Sequence, residues 1–493
     1  MRFVFSDFKT EDHTMRIFAT ASRTAFLVFG VISALSPTAK ALDLDWHGQF
    51  RAETHTIFGY ANAPQSALPP TGYSIPNNGE SPASFQNLFL RLRPKAIVND
   101  NITLHSDIWL GAPDTGIFGG DGQATRVSRV GQSRAGQATL SAQTLFAEFA
   151  SDFGTVRVGR VPLHYGLGLV WNSNPNGWDR LPSNGDAISM VTKLGSFKFM
   201  PAFVKYQNAN PTAPGQVGNA GNSDYVLSLT YTNEDEQMDA GIMFMRRIAG
   251  PNANVTNPFS VGGLSTSGFA YNLWDVYGKK KLGILTLKAE IPVVSGTYAG
   301  NPYSSVAGAV QAEADLSDHW KIKLNAGSAN GQGNGPQTSL GTFAFHPDYR
   351  PALILFNYNL RNITQNAGTN GSPFDAGITN ARFLALSADL TAGKFTHVFK
   401  GMYAMADQAA DGVNQFFNTF TGAYEAGGGS PQSTDLGFEL DYQLGYQWDE
   451  SIRFGVDLGL LMPGEFFKYA GNAAADNVNK TIFASSLNMM VRF

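Results

Sequence analysis

The chain has 493 residues, 43% hydrophobic and only 15% charged, with a formal net charge of -4. That near-neutral balance and the lack of a long basic tract argue against nucleic acid as a partner. The absence of cysteine excludes disulfides and thiolate metal sites, and no composition break or Pro/Gly/Ser linker divides the chain into domains.

From Met15 the chain passes Arg16 and Arg23, an apolar stretch from Ala25 to Leu35, then Ser36, Pro37 and Ala39-Lys40-Ala41. This is the charged, apolar, small-x-small order of a secretory signal, with cleavage expected after Ala41. Met1 to Thr14 forms a polar leader with Asp7, Glu11 and Asp12, unusual in a signal, so Met15 is an alternative start. The apolar stretch falls short of the roughly 18 residues that a spanning helix needs. Residues 42–493 are then the mature domain. Mean hydropathy is -0.14 and no long apolar run follows the signal. A membrane barrel tolerates both, because only every second side chain of its strands faces lipid.

Trp46 opens the first expected strand, which carries Arg51 and Glu53 two residues apart and so on one face. Short turns are read at Asn99-Asp100-Asn101, Asp152-Phe153-Gly154, Leu194-Gly195-Ser196, Asn233 to Gln237, Lys279 to Gly283, Leu316-Ser317-Asp318, Thr391-Ala392-Gly393 and Trp448 to Ser451. Between them lie long Gly, Asn, Pro and Ser-rich stretches: Ala61 to Ser84, Ala112 to Ala138, Asn208 to Ser223, Pro251 to Ser267, Ala329 to Ala381 and Asp407 to Ser433. The strand-like run within Pro351 to Asn359 would make the strand count odd, so it is placed inside the Ala329 to Ala381 region, folded into the pore.

The late strands show the pattern most cleanly. Leu436, Phe438, Leu440, Tyr442, Leu444 and Tyr446 alternate with Gly437, Glu439, Asp441, Gln443, Gly445 and Gln447. After the turn, Ile452, Phe454, Val456, Leu458 and Leu460 alternate with Arg453, Gly455, Asp457 and Gly459. In the last strand Phe483, Ser485, Leu487, Met489, Val491 and Phe493 share one face and Ala484, Ser486, Asn488 and Arg492 the other, with Met490 as an exception. Period two is a strand signature, since a helix would put Arg492 among the apolar side chains. A soluble sandwich would show the same alternation, with one face dry and one wet. The alternation of short with long connections selects a closed antiparallel transmembrane β-barrel of about 18 strands, with short periplasmic turns, long external loops and both termini at the periplasmic end. Trp320 and Trp448 sit beside short turns, where amphipathic rings favour a membrane interface.

The run Val158-Gly159-Arg160-Val161-Pro162-Leu163-His164-Tyr165-Gly166-Leu167-Gly168 resembles a segment of alginate-export-type, porin-like outer-membrane barrels. Asp457-Leu458-Gly459-Leu460-Leu461-Met462-Pro463-Gly464-Glu465-Phe466 resembles the penultimate strand of the same group. The resemblance implies an 18-stranded outer-membrane channel, and a chain closing on Phe493 resembles the end by which the barrel-assembly machinery recognises such proteins. Alginate exporters carry a strongly cationic lumen, whereas the inward candidates here mix signs. The bases are Arg51, Arg91, Arg93, Arg157, Lys288, Arg453 and Arg492, with Arg160 at a strand exit; the acids are Glu53, Glu148, Glu290, Glu439, Asp441 and Asp457.

Catalytic signatures are missing from the sequence. None of the 8 His lies in a His-Glu-x-x-His motif, and neither a Gly-x-Ser-x-Gly elbow nor a phosphate-cradling loop occurs. Asp45 and His47 have the spacing of an acid–histidine dyad but lie at the periplasmic end, and Gly119 to Gly122 reads as a flexible turn before it reads as a calcium loop. The expectation is a passive outer-membrane channel for small polar solutes or saccharides, with membrane lipid as its surroundings and no cofactor. The alternative is a structural or surface-recognition barrel with a plugged lumen.

Overall fold

The computed structural model describes residues 43–59, 83–111, 117–118, 140–206, 222–249, 255–256, 264–265, 268–335, 339–358, 374, 377–418, 423–469 and 480–493. The signal-like N-terminus, the Gly119 to Gly122 turn and much of the long connections lie outside the described residues.

Eighteen strands form one closed wall. They are β1 (Asp43–Phe58), β2 (Ala83–Asn99), β3 (Ile102–Gly111), β4 (Leu140–Ser151), β5 (Gly154–Pro162) and β6 (Asn184–Leu194). Then follow β7 (Phe197–Lys205), β8 (Asn222–Asn233), β9 (Met238–Ala249), β10 (Phe269–Leu282), β11 (Leu285–Tyr298) and β12 (Asn301–Asp315). The last six are β13 (Trp320–Ala329), β14 (Ala381–Ala392), β15 (Phe395–Ala406), β16 (Asp435–Gln447), β17 (Ile452–Pro463) and β18 (Ile482–Arg492). Each pairs antiparallel with its chain neighbour, and β1 pairs with both β2 and β18, which closes the ring. Closure leaves no unpaired edge, the condition a sheet must meet in hydrocarbon.

All eight expected short turns join strands at one end, and the long connections lie at the other. Directly opposite residues of an antiparallel pair share a face, so the register fixes one parity around the ring. Gln49, Arg51, Glu53 and His55 of β1 point inward and are buried. Outward sit Ile188, Leu227, Val276, Leu386, Leu440 and Leu487, all exposed to the surroundings. Water would oppose such a continuous apolar exterior, and lipid accepts it. The barrel is therefore an integral membrane wall of the bacterial outer-membrane type. Trp46, Trp320 and Trp448 are exposed at the short-turn end, as an interfacial ring requires. In β18 Met490 faces inward and is buried, which accounts for its break in the sequence pattern.

The seam closes at the last residue. Gly48 N donates to Phe493 O at 2.7 Å, and Phe493 N donates to Gly48 O at 3.1 Å. The Phe493 ring lies over Gly48, where an added Cβ would stand 2.5 Å from the ring and 2.9 Å from Arg91 O. Gly48→Val is expected to lower the fraction of heat-modifiable, folded barrel on unboiled gels, whereas Gly278→Ala, with nothing within 4 Å of its new Cβ, leaves it unchanged.

Candidate functional site in the lumen

Two connections fold inward from the long-loop end, residues 163–183 and residues 339–358. Neither shows strand alternation, and both bury large side chains: Leu169 and Trp171 in the first, Phe345, Tyr349, Ile354 and Tyr358 in the second. Their backbone N–H groups have no sheet to join and must find acceptors. The inward carboxylates of the wall supply them.

Glu439 of β16 accepts from Ile354 N at 2.6 Å and from Leu355 N at 2.8 Å, and Asp441 accepts from Leu353 N at 3.0 Å. Five strands away round the ring, Glu290 of β11 accepts from Leu167 N and from Leu169 N, the latter at 3.2 Å. Gly166 makes that approach possible: its φ is +56°, and a Cβ there would stand 2.5 Å from Glu290 Oε2. Pro351 to Asn359 thus meets the sequence expectation as far as residue 358, since it folds into the lumen and is not a spanning strand. Phe356 takes a φ of +67°, a left-handed conformation costly for an aromatic residue and held by the pinned backbone on its N-terminal side.

The two segments are also tied to each other and to β1. Arg180 forms a fork with Glu53, both N···O distances being 2.7 Å, and its guanidinium lies 3.7 Å from the Phe374 ring centroid. Arg51 donates to Gly177 O at 2.9 Å and to Asp179 O at 3.2 Å. Asp348 accepts from the backbone N of Arg180 and of Leu181, and Arg350 reaches Trp178 O at 3.0 Å and Asp179 at 3.3 Å. His346 N donates to Leu169 O at 2.7 Å. Burial, with the Asp348 carboxylate beside it, pushes the Asp179 carboxyl up to about 6, and burial lowers His346. Charges removed from water need such partners, because an unpaired one costs several kcal/mol.

The remaining sequence candidates divide in two. Arg91 is locked onto Asp107, which also accepts from Trp109 Nε1 at 2.8 Å. Glu148 with Arg157 at 2.8 Å and Lys288 with Glu313 at 2.6 Å are pairs between neighbouring strands, and Asp457 accepts from Asn488 at 2.8 Å. Arg93, Arg453 and Arg492 face inward toward the short-turn end, and Arg93 keeps 49% of its side chain exposed. Arg160 is a correction. Its neighbour Val161 is buried inside, so Arg160 points outward at the long-loop end, where it pairs with the equally outward Asp186 at 2.7 Å. The Gly-Arg-Val-Pro run placed it by motif, whereas strand parity decides its face.

Sequence reading missed Asp179, Arg180, Asp348 and Arg350. A signal existed: Trp171 to Arg180 puts two tryptophans among Asn, Pro and Gly, and rings in a turn-rich stretch need a surface to cover them.

Removing Arg180 takes both 2.7 Å contacts from the buried Glu53 and leaves it Arg51 at 3.2 Å, so Arg180→Met is expected to cost about 3 kcal/mol in the urea unfolding free energy. Glu439→Leu removes the acceptors of Ile354 and Leu355, and faster hydrogen exchange of those two amides is the expected readout.

No protein-family profile and no curated protein sequence matches the chain. Among solved structures, a BenF-like porin from Pseudomonas fluorescens Pf-5 is similar at 8% identity and TM-score 0.49, covering 92% of this chain and 98% of that one. The outer-membrane protein opdK from Pseudomonas aeruginosa is similar at 10% identity and TM-score 0.48, covering 91% and 98%. OmpT, an outer membrane protein of Vibrio cholerae, is similar at 10% identity and TM-score 0.38, covering 93% and 100%.

Proposed function

We propose that the chain is a passive outer-membrane channel for small polar solutes, narrowed by the two in-folded segments. The observation that carries this reading is the state of the inward charges toward the short-turn end. Below the pinned segments, Arg93, Arg157 and Lys323 keep 49%, 41% and 41% of their side chains exposed while facing the enclosed interior. A lumen filled by side chains would bury them, and a water-filled one solvates them.

The sign of the field follows from what is already paired. The inward acids Glu290, Glu439 and Asp441 are turned to backbone N–H groups, whereas Lys95, Lys193, Lys198, Arg453 and Arg492 have no carboxylate within 4.0 Å among the described residues. The lumen therefore favours anions modestly. A polyuronate cargo of the alginate type finds no dedicated cationic track in this mixed-sign wall, and no catalytic role is proposed for any residue. The β18 end, with Phe493 outward on the seam, is the part offered to assembly machinery.

Purified protein in planar bilayers is expected to give discrete conductance steps, with a reversal potential in a salt gradient displaced toward the anion's. Lys198→Glu with Arg453→Glu should move that potential toward or past zero. A silent barrel would remove the channel reading in favour of a plugged recognition barrel.

A further inference from the structure

Beside the start of the 339–358 segment, β8 to β12 present a second inward surface close to the long-loop end. The register lays two rows across these five strands. The outer row is Asn222, Ala249, Phe269, Tyr298 and Asn301, each directly opposite the next. The row beneath is Asp224, Arg247, Tyr271, Gly296 and Tyr303. Asp224 is fully buried on the lumen side, so shared parity turns both rows inward.

Four rings dominate the surface. Phe269 and Tyr298 lie parallel within 1° with centroids 5.8 Å apart, Tyr271 and Tyr303 meet edge-on at 5.4 Å, and Phe269 stands 5.6 Å from Tyr271. All four are half-buried, unlike Phe345, Tyr349 and Tyr358 of the in-folded segment, which are buried. Ala249 and Gly296 add no bulk between them. Polar groups frame the rings: Asn222 and Asn301 end the outer row, and Arg247 holds Asp224 through two 2.8 Å contacts while reaching the Tyr271 hydroxyl at 3.5 Å. Tyr303 donates to Thr342 O at 3.2 Å, which fixes its ring against the in-folded segment. The Tyr298 hydroxyl makes no hydrogen bond among the described residues.

Packing beneath a loop would explain rings, and Asn301 Nδ2 donates to Ala299 O at 3.1 Å in the adjoining turn, but neither accounts for the Asn222 amide at the other end or for a hydroxyl without a partner. A pyranose has a face of axial C–H groups and a rim of hydroxyls. Aromatic rings match the first, and amide, guanidinium and phenol groups match the second. We infer that this surface is a docking platform for the sugar ring of a saccharide arriving at the external mouth. The inference deepens the channel reading by naming a solute class, and rests on it only for the role of passage.

The test uses the full chain in detergent with maltotriose as probe and the open-chain polyol sorbitol as comparison, read by saturation transfer to the sugar ring protons. Maltotriose is expected to bind, sorbitol not to compete, and Phe269→Ala or Tyr298→Ala to weaken binding by about 3- to 10-fold each. Tyr298→Leu keeps bulk without a ring face and is expected to weaken binding as the alanine does, while Tyr298→Phe, which keeps the ring and removes only the hydroxyl, weakens it less. Phe203→Ala, which removes an outward ring opposite Ile188, is expected to change nothing. Failure of wild type to bind, equal binding by the alanine and leucine variants, or competition by sorbitol overturns the platform. Binding by a barrel that is silent in bilayers keeps the platform and removes the channel, and conductance without binding does the reverse.

Discussion

Every backbone N–H and C=O within the hydrocarbon layer must be paired inside the protein, and the rest of this structure answers that requirement. Eighteen strands meet it by closing on themselves, with β1 hydrogen-bonded to β18 and Gly48 shaped to receive Phe493. Closure has a corollary in the register. Since opposite residues share a face, a single parity runs round the whole ring, and polar residues of that parity have only the lumen to face.

The same accounting explains the carboxylates. Segments that leave the sheet and enter the barrel bring unpaired N–H groups with them. Glu290, Glu439 and Asp441 answer that demand, and Asp348 does so for the backbone of Arg180 and Leu181. Charges that sequence alone assigns to a water-filled wall therefore become anchors. With those acids engaged, the inward charge toward the short-turn end that has no carboxylate within 4.0 Å among the described residues belongs to Lys and Arg. On the proposed channel reading, the acceptors that the in-folded backbone consumes set the sign of the charge a solute would meet.

Much of the barrel was legible because period two is a local property. The face of Leu440 and that of Asp441 follow from their neighbours in the chain, and the eight short turns follow from Gly, Asn and Asp at strand ends. Arg160 shows the limit of motif reading: one residue of parity separates the lumen from the membrane surface, and Val161 beside it held the answer. Arg180 shows the limit of periodicity, because the 163–183 segment has none.

The sequence by itself determined the strand alternation and the turn positions, and hence a membrane barrel, since these depend on neighbours within a few residues. Only the tertiary structure decided that residues 163–183 also enter the lumen and which carboxylates the in-folded segments use. It also decided that Asn222, Phe269, Tyr298 and Asn301 stand in one row. Glu53 and Arg180 are 127 positions apart, and no local pattern encodes a contact over that distance. Such contacts arise when closure of the ring gives the inward connections a shared, confined space.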